Sequence, residues 1–391
     1  MKRAARSLAL ALACAIFVVT MLGTTLPTPL YPTYERTFHI EPILIPVIFA
    51  LYAIAVIGGL MFFGRLSDAA GRKNVLFLGL LLSALSAVAF LTAHSLAMLF
   101  VGRLVSGLSA GIFTGTATAT IVELAAPENK KTASMLAVAA NTFGLALGTL
   151  LCGLVATVFA HPLRFPYAID LVLVALAALA LLAVPETVES RSGASLCLTR
   201  LQVPSDLRGV FVPAAIAGAC SFAVSGLFSA IVPSFLAVVL HVTTPALTGI
   251  MVFVLFAFTA GGQIAIDALP RDRALSIASA LLLVGTIVLA AAVVARSWPT
   301  MFLAAALEGC GQGVAIGFGL AQINERVKEA RGEVTSTYFV VLYGTLAIPV
   351  IGVGVLAHAT SLVTASLVFC GIVALTVACV LVATTPNAYR K

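Results

Sequence analysis

Charge is what this sequence has least of. Only 9% of its 391 residues are Asp, Glu, Lys or Arg, against 61% hydrophobic, and the mean hydropathy is +1.14. Charged residues make up about a quarter of a soluble domain, so this chain has too few to cover a globular surface and is expected to be an integral membrane protein. The five histidines (His39, His94, His161, His241, His358) stand singly, which leaves no cluster for a metal. The seven cysteines are an odd number with no C-x-x-C pair, and as small buried hydrophobes they need no redox role. No G-x-x-x-x-G-K-[ST] run occurs, so nothing points to ATP use. Nor is there the cluster of His, Asp or Glu that a membrane-embedded enzyme needs. The chain is not expected to be an enzyme, and no catalytic residue, metal or cofactor is assigned.

Long apolar runs are what it has instead. A ~30 Å hydrocarbon core takes about 20 apolar residues per helix. Twelve runs of that kind centre near Phe17, Ala53, Ser83, Ala110, Leu145, Val174, Val224, Leu255, Leu283, Ala315, Tyr343 and Val373. The start, Met1-Lys2-Arg3 before an apolar stretch, imitates a signal peptide, but it reads better as a first transmembrane helix because the apolar run continues to about Pro27. The longest polar stretch, with Glu186, Glu189, Arg191, Arg200, Asp206 and Arg208, falls between the sixth and seventh runs. It divides the chain into an N-terminal six-helix half (1–185), a central cytoplasmic loop (186–208) and a C-terminal six-helix half (209–391).

The net charge of +7 is a topology signal rather than a nucleic-acid patch. With the N-terminus inside, all of the 22 Lys and Arg except Arg36, Arg164, Arg296 and the intramembrane Arg103 fall on the cytoplasmic side, as the positive-inside rule requires. The histidines then fall in outer loops. Both termini are placed in the cytoplasm.

One polar island stands out between the second and third runs: Gly64-Arg65-Leu66-Ser67-Asp68-Ala69-Ala70-Gly71-Arg72-Lys73. Its glycines permit positive φ and close backbone approach, its bases hold the loop inside, and Asp68 is free to cap a helix N-terminus. The island resembles the signature loop of the major facilitator superfamily of transporters, G-x-L-a-D-r-x-G-r-k, with Ala69 in place of the usual arginine. Asp267-Ala-Leu-Pro-Arg271 echoes it after the second run of the other half. The resemblance implies two pseudo-symmetric six-helix halves in an all-α polytopic fold. It also implies a cytoplasmic gate built from Gly64, Arg65, Asp68, Gly71, Arg72, Lys73 and Glu123, with Glu123 facing Arg72 and Asp68 reaching the start of the eleventh helix near 332–337.

Two ionisable residues lie deep in runs, Arg103 and Glu308; such groups are costly and point to function. Asp170, near the outer end of the sixth run, is expected to reach water. Arg103 opens R-L-V-S-G-L-S-A-G, which resembles the superfamily's fourth-helix motif, and Gly107 and Gly111 share its face. The resemblance implies a proton-coupling role for Arg103; a structural cation held by backbone carbonyls is the alternative. Glu308 lies near Gly309 and Gly313, the counterparts of Gly107 and Gly111. A cavity acid at Glu308 could exchange a proton as water access alternates, whereas a permanently protonated, hydrogen-bonded acid would only stabilise packing. Asn141, Ser221, Ser225, Gln312, Tyr338 and Tyr343 are candidate cavity groups, neutral points on apolar walls that suit a small amphiphilic molecule.

The fifth run, Gly144 to Gly153, is similar to an antiporter motif but carries Thr149 where proline is usual and Cys152 where glycine is. Loop residues Thr28-Pro-Leu-Tyr-Pro32 resemble the end of the first helix in bacterial drug:proton antiporter-like efflux members. The resemblance thus implies proton-coupled efflux of a small, partly apolar molecule through a bacterial inner membrane by a monomer. A sugar or metabolite symporter or uniporter, and a non-transporting membrane sensor, are the alternatives.

Overall fold

The computed structural model describes residues 3–188, 201–326 and 331–384, and these form helices and turns without any strand. Expectations placed on Lys2, Glu189, Arg191, Arg200, Lys328, Arg390 and Lys391, and on the side chain of Arg65, fall outside what is described. Twelve helical spans among these residues are long and apolar enough to cross a membrane. Their principal helices are α1 Arg3–Thr25, α2 Leu44–Ala70, α3 Arg72–Leu91, α4 Leu96–Leu124, α5 Lys130–Val158 and α6 Phe165–Leu182 in the first half. In the second half they are α7 Arg208–Gly226, α8 Pro245–Ala265, α9 Ala274–Ala295, α10 Trp298–Arg326, α11 Arg331–Ala359 and α12 Leu362–Thr384.

Proline shapes the ends of α1 and α7. The segment expected to be a loop after α1 is helical instead: a 3₁₀ turn Thr28–Leu30 leads into a helix Tyr31–Phe38. Pro29 and Pro32 sit in first turns, where a missing N–H costs nothing. The prolines therefore restart the helix, and Tyr31 and Tyr34 are carried into the core. In α7 the helix widens to a π-turn at Leu227–Ile231 before Pro233, which relieves the clash of a proline ring with the carbonyl four residues earlier.

Small residues set the helix pairs. In the first half, Gly107 and Gly111 of α4 lie against the α2 backbone; a methyl group on Gly111 would meet Val56 O at 2.5 Å and Gly59 Cα at 2.8 Å. In the second half, Gly309 and Gly313 of α10 lie against α8 in the same way, with Gly313 facing Thr259 O and Gly262. This is how helices associate where lipid removes the hydrophobic incentive. Two helix pairs, α5 with α8 and α2 with α11, carry most of the contact between the halves, and Gly153 and Gly249 meet at the first of them.

One end of the bundle carries the 64–73 island and the other carries all five histidines. At the histidine end the halves are tied together: Ser234 Oγ donates to Glu35 at 2.8 Å, and the Ala246 N–H donates to Thr157 Oγ1 at 2.9 Å. At the island end they part around a cavity.

Candidate functional site

The cavity has a volume of about 1030 Å³ and is lined by both halves. Its mouth is at the island end, where Asp68, Glu123 and Lys130 of the first half face Arg271, Glu325 and Glu333 of the second. Its inner end reaches Thr24, Thr28, Arg103, Ser229 and Gln312. Between these, the walls are largely apolar and aromatic, with Phe49, Phe222, Phe256, Phe339 and Tyr343 among them.

At the inner end Arg103 is 1% exposed. Its guanidinium donates to Tyr31 Oη from both Nε, at 2.9 Å, and Nη2, and from Nη1 to the Thr24 carbonyl at 2.7 Å. It also lies 5.4 Å from the ring centres of Tyr31 and Tyr52 and 5.9 Å from that of Phe49, within the range of cation–π attraction. Across the cavity, Gln312 Oε1 accepts from Ser225 Oγ at 2.9 Å and from Thr259 Oγ1 at 3.0 Å. Those bonds hold the amide oxygen and leave its N–H donors to the cavity. Asn141 Oδ1 and Gln263 Oε1 are buried without a partner, and both residues line the cavity.

Several expected cavity groups lie elsewhere. Ser221 Oγ donates to the Gly218 carbonyl within its own helix at 2.8 Å, and the buried Tyr338 ring packs against Phe211, Gly218 and Gly319. Neither belongs to the lining. Glu308 is also turned away from it: Oε1 accepts from Thr286 of α9 at 2.7 Å, and a methyl group on Gly285 would lie 2.9 Å from Glu308 Cγ. The missing Cβ of Gly285 makes the space that lets this carboxyl lie between α9 and α10. Asp170, expected to reach water, is 2% exposed, with its carboxyl against Gly23 of α1 and Oδ1 without a partner.

The island forms a closed cluster within the first half. Arg72 pairs with Asp68 at 2.5 Å and with Glu123 at 2.9 Å, and donates to Ser67 Oγ at 2.5 Å. Gly71 turns the chain at φ 91°, a conformation that suits glycine, and so brings the α3 N-terminus against Glu186. That carboxylate accepts from the Arg72 N–H at 2.9 Å and the Lys73 N–H at 3.0 Å. Glu186 thus fills the capping place expected for Asp68, satisfying donors that a helix start leaves open. Lys73 Nζ closes the cluster on the Leu182 carbonyl at 2.8 Å, and Thr187 Oγ1 on Glu123 at 2.5 Å. Among the described residues the expected reach of Asp68 to the start of α11 is not made: Ser336 and Asp68 both line the open mouth, and Asp68 is paired with Arg72.

The second half repeats this arrangement in weaker form. Arg271, which follows α8 as Arg72 follows α2, pairs with Glu325 near the end of α10 at 3.2 Å. Sequence alone missed Tyr31, Tyr52, Phe49, Gln263 and Glu186 as site groups. The first and last had a signal, in the prolines at 29 and 32 and in the Pro185-Glu186-Thr187 run that directly follows a helix.

A bundle of twelve spans with a cavity between two repeated halves is the architecture of a polytopic membrane protein. The chain belongs to the Major Facilitator Superfamily, whose family model matches residues 12–349. Among characterised relatives, it is 32% identical over 151 residues to the class H tetracycline resistance protein of Pasteurella multocida, a match covering 37% of each chain. It is 27% identical over 154 residues, 39% of each chain, to the quinolone resistance protein NorA of Staphylococcus aureus. These matches span well under half the length of those relatives. A solved POT family transporter in complex with 5-aminolevulinic acid superposes with a TM-score of 0.77 at 12% identity, covering 98% of this chain and 97% of that one. At that identity the likeness concerns the fold.

Proposed function

We propose that this protein exports a small, partly apolar molecule across a bacterial plasma membrane by alternating access, driven by protons. The observation that carries this reading is the cavity: open at the island end, closed at the histidine end, and lined by both halves. In this reading the island end is cytoplasmic, as the distribution of basic residues favours, and the structure is the inward-open state. The halves, 1–185 and 209–391, rock about the cavity floor, breaking the Glu35–Ser234 tie as the mouth closes. Similarity to proteins named for tetracycline and quinolone resistance supports export.

For proton coupling we assign Asp170 in preference to Glu308. Both carboxyls are buried with one oxygen unpartnered, a costly place for charge. Asp170, however, abuts Gly23, next to the Thr24 carbonyl that holds Arg103, whereas Glu308 is held on the far side of α10. The test is flux into proteoliposomes with an imposed pH gradient, using tetracycline and a quinolone carboxylic acid as probes. Gradient-dependent accumulation that dissipates with a protonophore is expected; flux of neither probe under any gradient overturns the proposal.

A further inference from the structure

Arg103 is a buried cation with no carboxylate within ion-pair distance among the described residues. The hydrogen bonds to Tyr31 and Thr24 use three of the five N–H groups an arginine carries. One phenol oxygen, a carbonyl and ring faces offer partial negative charge, and removing a full charge from water is costly without a full counter-charge. The acids of the cavity lining, Asp68, Glu123, Glu325 and Glu333, all belong to the mouth. The two carboxyls at membrane depth, Asp170 and Glu308, lie outside the lining, against Gly23 and Gly285. The inner cavity therefore carries one positive charge, two unused N–H donors and an aromatic surround.

We infer that the cargo supplies the missing charge: the cavity takes an amphiphilic organic anion whose carboxylate bonds to the free N–H groups of Arg103. Its apolar body then lies along Phe222 and Tyr343, and its neutral polar groups meet the unpartnered acceptors of Asn141 and Gln263. A cation of the same shape meets Arg103 as a like charge and is rejected. Charge-assisted hydrogen bonds outweigh neutral ones, so the carboxylate should dominate recognition. This inference rests on the cavity being the transport path.

Three probes with one ring system separate the charges: 2-naphthoate, 2-naphthamide and 2-naphthylmethylammonium. Binding to the purified full chain is measured by titration calorimetry, and flux in proteoliposomes. Naphthoate is expected to bind at least about ten-fold more tightly than the amide, with the ammonium weakest. Arg103→Gln should remove the preference for naphthoate over the amide, while Arg103→Lys should keep the order of preference. Equal affinities in the wild type, or an unchanged preference in Arg103→Gln, overturn the inference. If Arg103→Gln fails to reach the membrane, the wild-type series decides by itself. Carriage of the amide or the ammonium without naphthoate removes the anion assignment and leaves transport standing. If none of the three binds or crosses, the cavity reading and the anion assignment fall together.

Discussion

In the first half, Arg72 has a side chain 10% exposed and is held by Asp68, Glu123 and Ser67. In the second half, its counterpart Arg271 has a side chain 68% exposed and pairs with a half-exposed Glu325. The same division runs inward. The first half brings a buried charge, Arg103, to the cavity, and the second brings a neutral amide held by two hydroxyls, Gln312. The backbone repeat is conserved between the halves, as the matched glycine contacts of α4 and α10 show, while the chemistry placed on it is not.

The largest test of this contrast lies in the buried carboxyls. Asp170→Asn is expected to abolish gradient-driven flux while the protein still inserts. Glu308→Gln, which keeps an acceptor for Thr286, should transport nearly as well as wild type. The reverse result, measured in the same proteoliposomes, would move the coupling site to the second half.

Next come the two arginines. Arg72→Ala leaves Glu123, Asp68 and Ser67 without their shared donor and should lower unfolding stability by about 1.5–3 kcal/mol, the range for hydrogen bonds to charged groups. Arg271→Ala removes a solvated pair and should cost less than about 1 kcal/mol. Thermal unfolding in detergent with matched lipid compares them, and equal losses would break the contrast.

The glycines should show no such difference. Gly111→Ala and Gly313→Ala each force a methyl group into a facing backbone and should each cost about 1–3 kcal/mol. At Gly115 the nearest atom would lie 4.0 Å away, so Gly115→Ala should fall within about 0.5 kcal/mol of wild type.

The twelve spans were legible because lipid imposes them: the thickness of the hydrocarbon core leaves few alternatives to runs of about 20 apolar residues. The approach of Glu123 to Arg72 was legible for the same reason, since both stand where spans end at one face. The direction of side chains within spans was not. A helix apolar on every side gives no stripe from which to read its buried face, so Glu308, Ser221 and Tyr338 were expected in a cavity they do not line. Tyr31 was hidden by prolines that mark a restart as readily as a stop, and Glu186 by its distance in sequence from the helix it caps.

Alternating access is tested most directly by distances across the two ends. Paired spin labels on Glu128 and Asp272 span the mouth; a second pair on Thr37 and His241 spans the histidine end. Measured in lipid nanodiscs across a pH series with and without 2-naphthoate, each pair is predicted to show two populations. The short Glu128–Asp272 population should grow in step with the long Thr37–His241 one. Distances that stay fixed, or that lengthen at both ends together, would contradict the account.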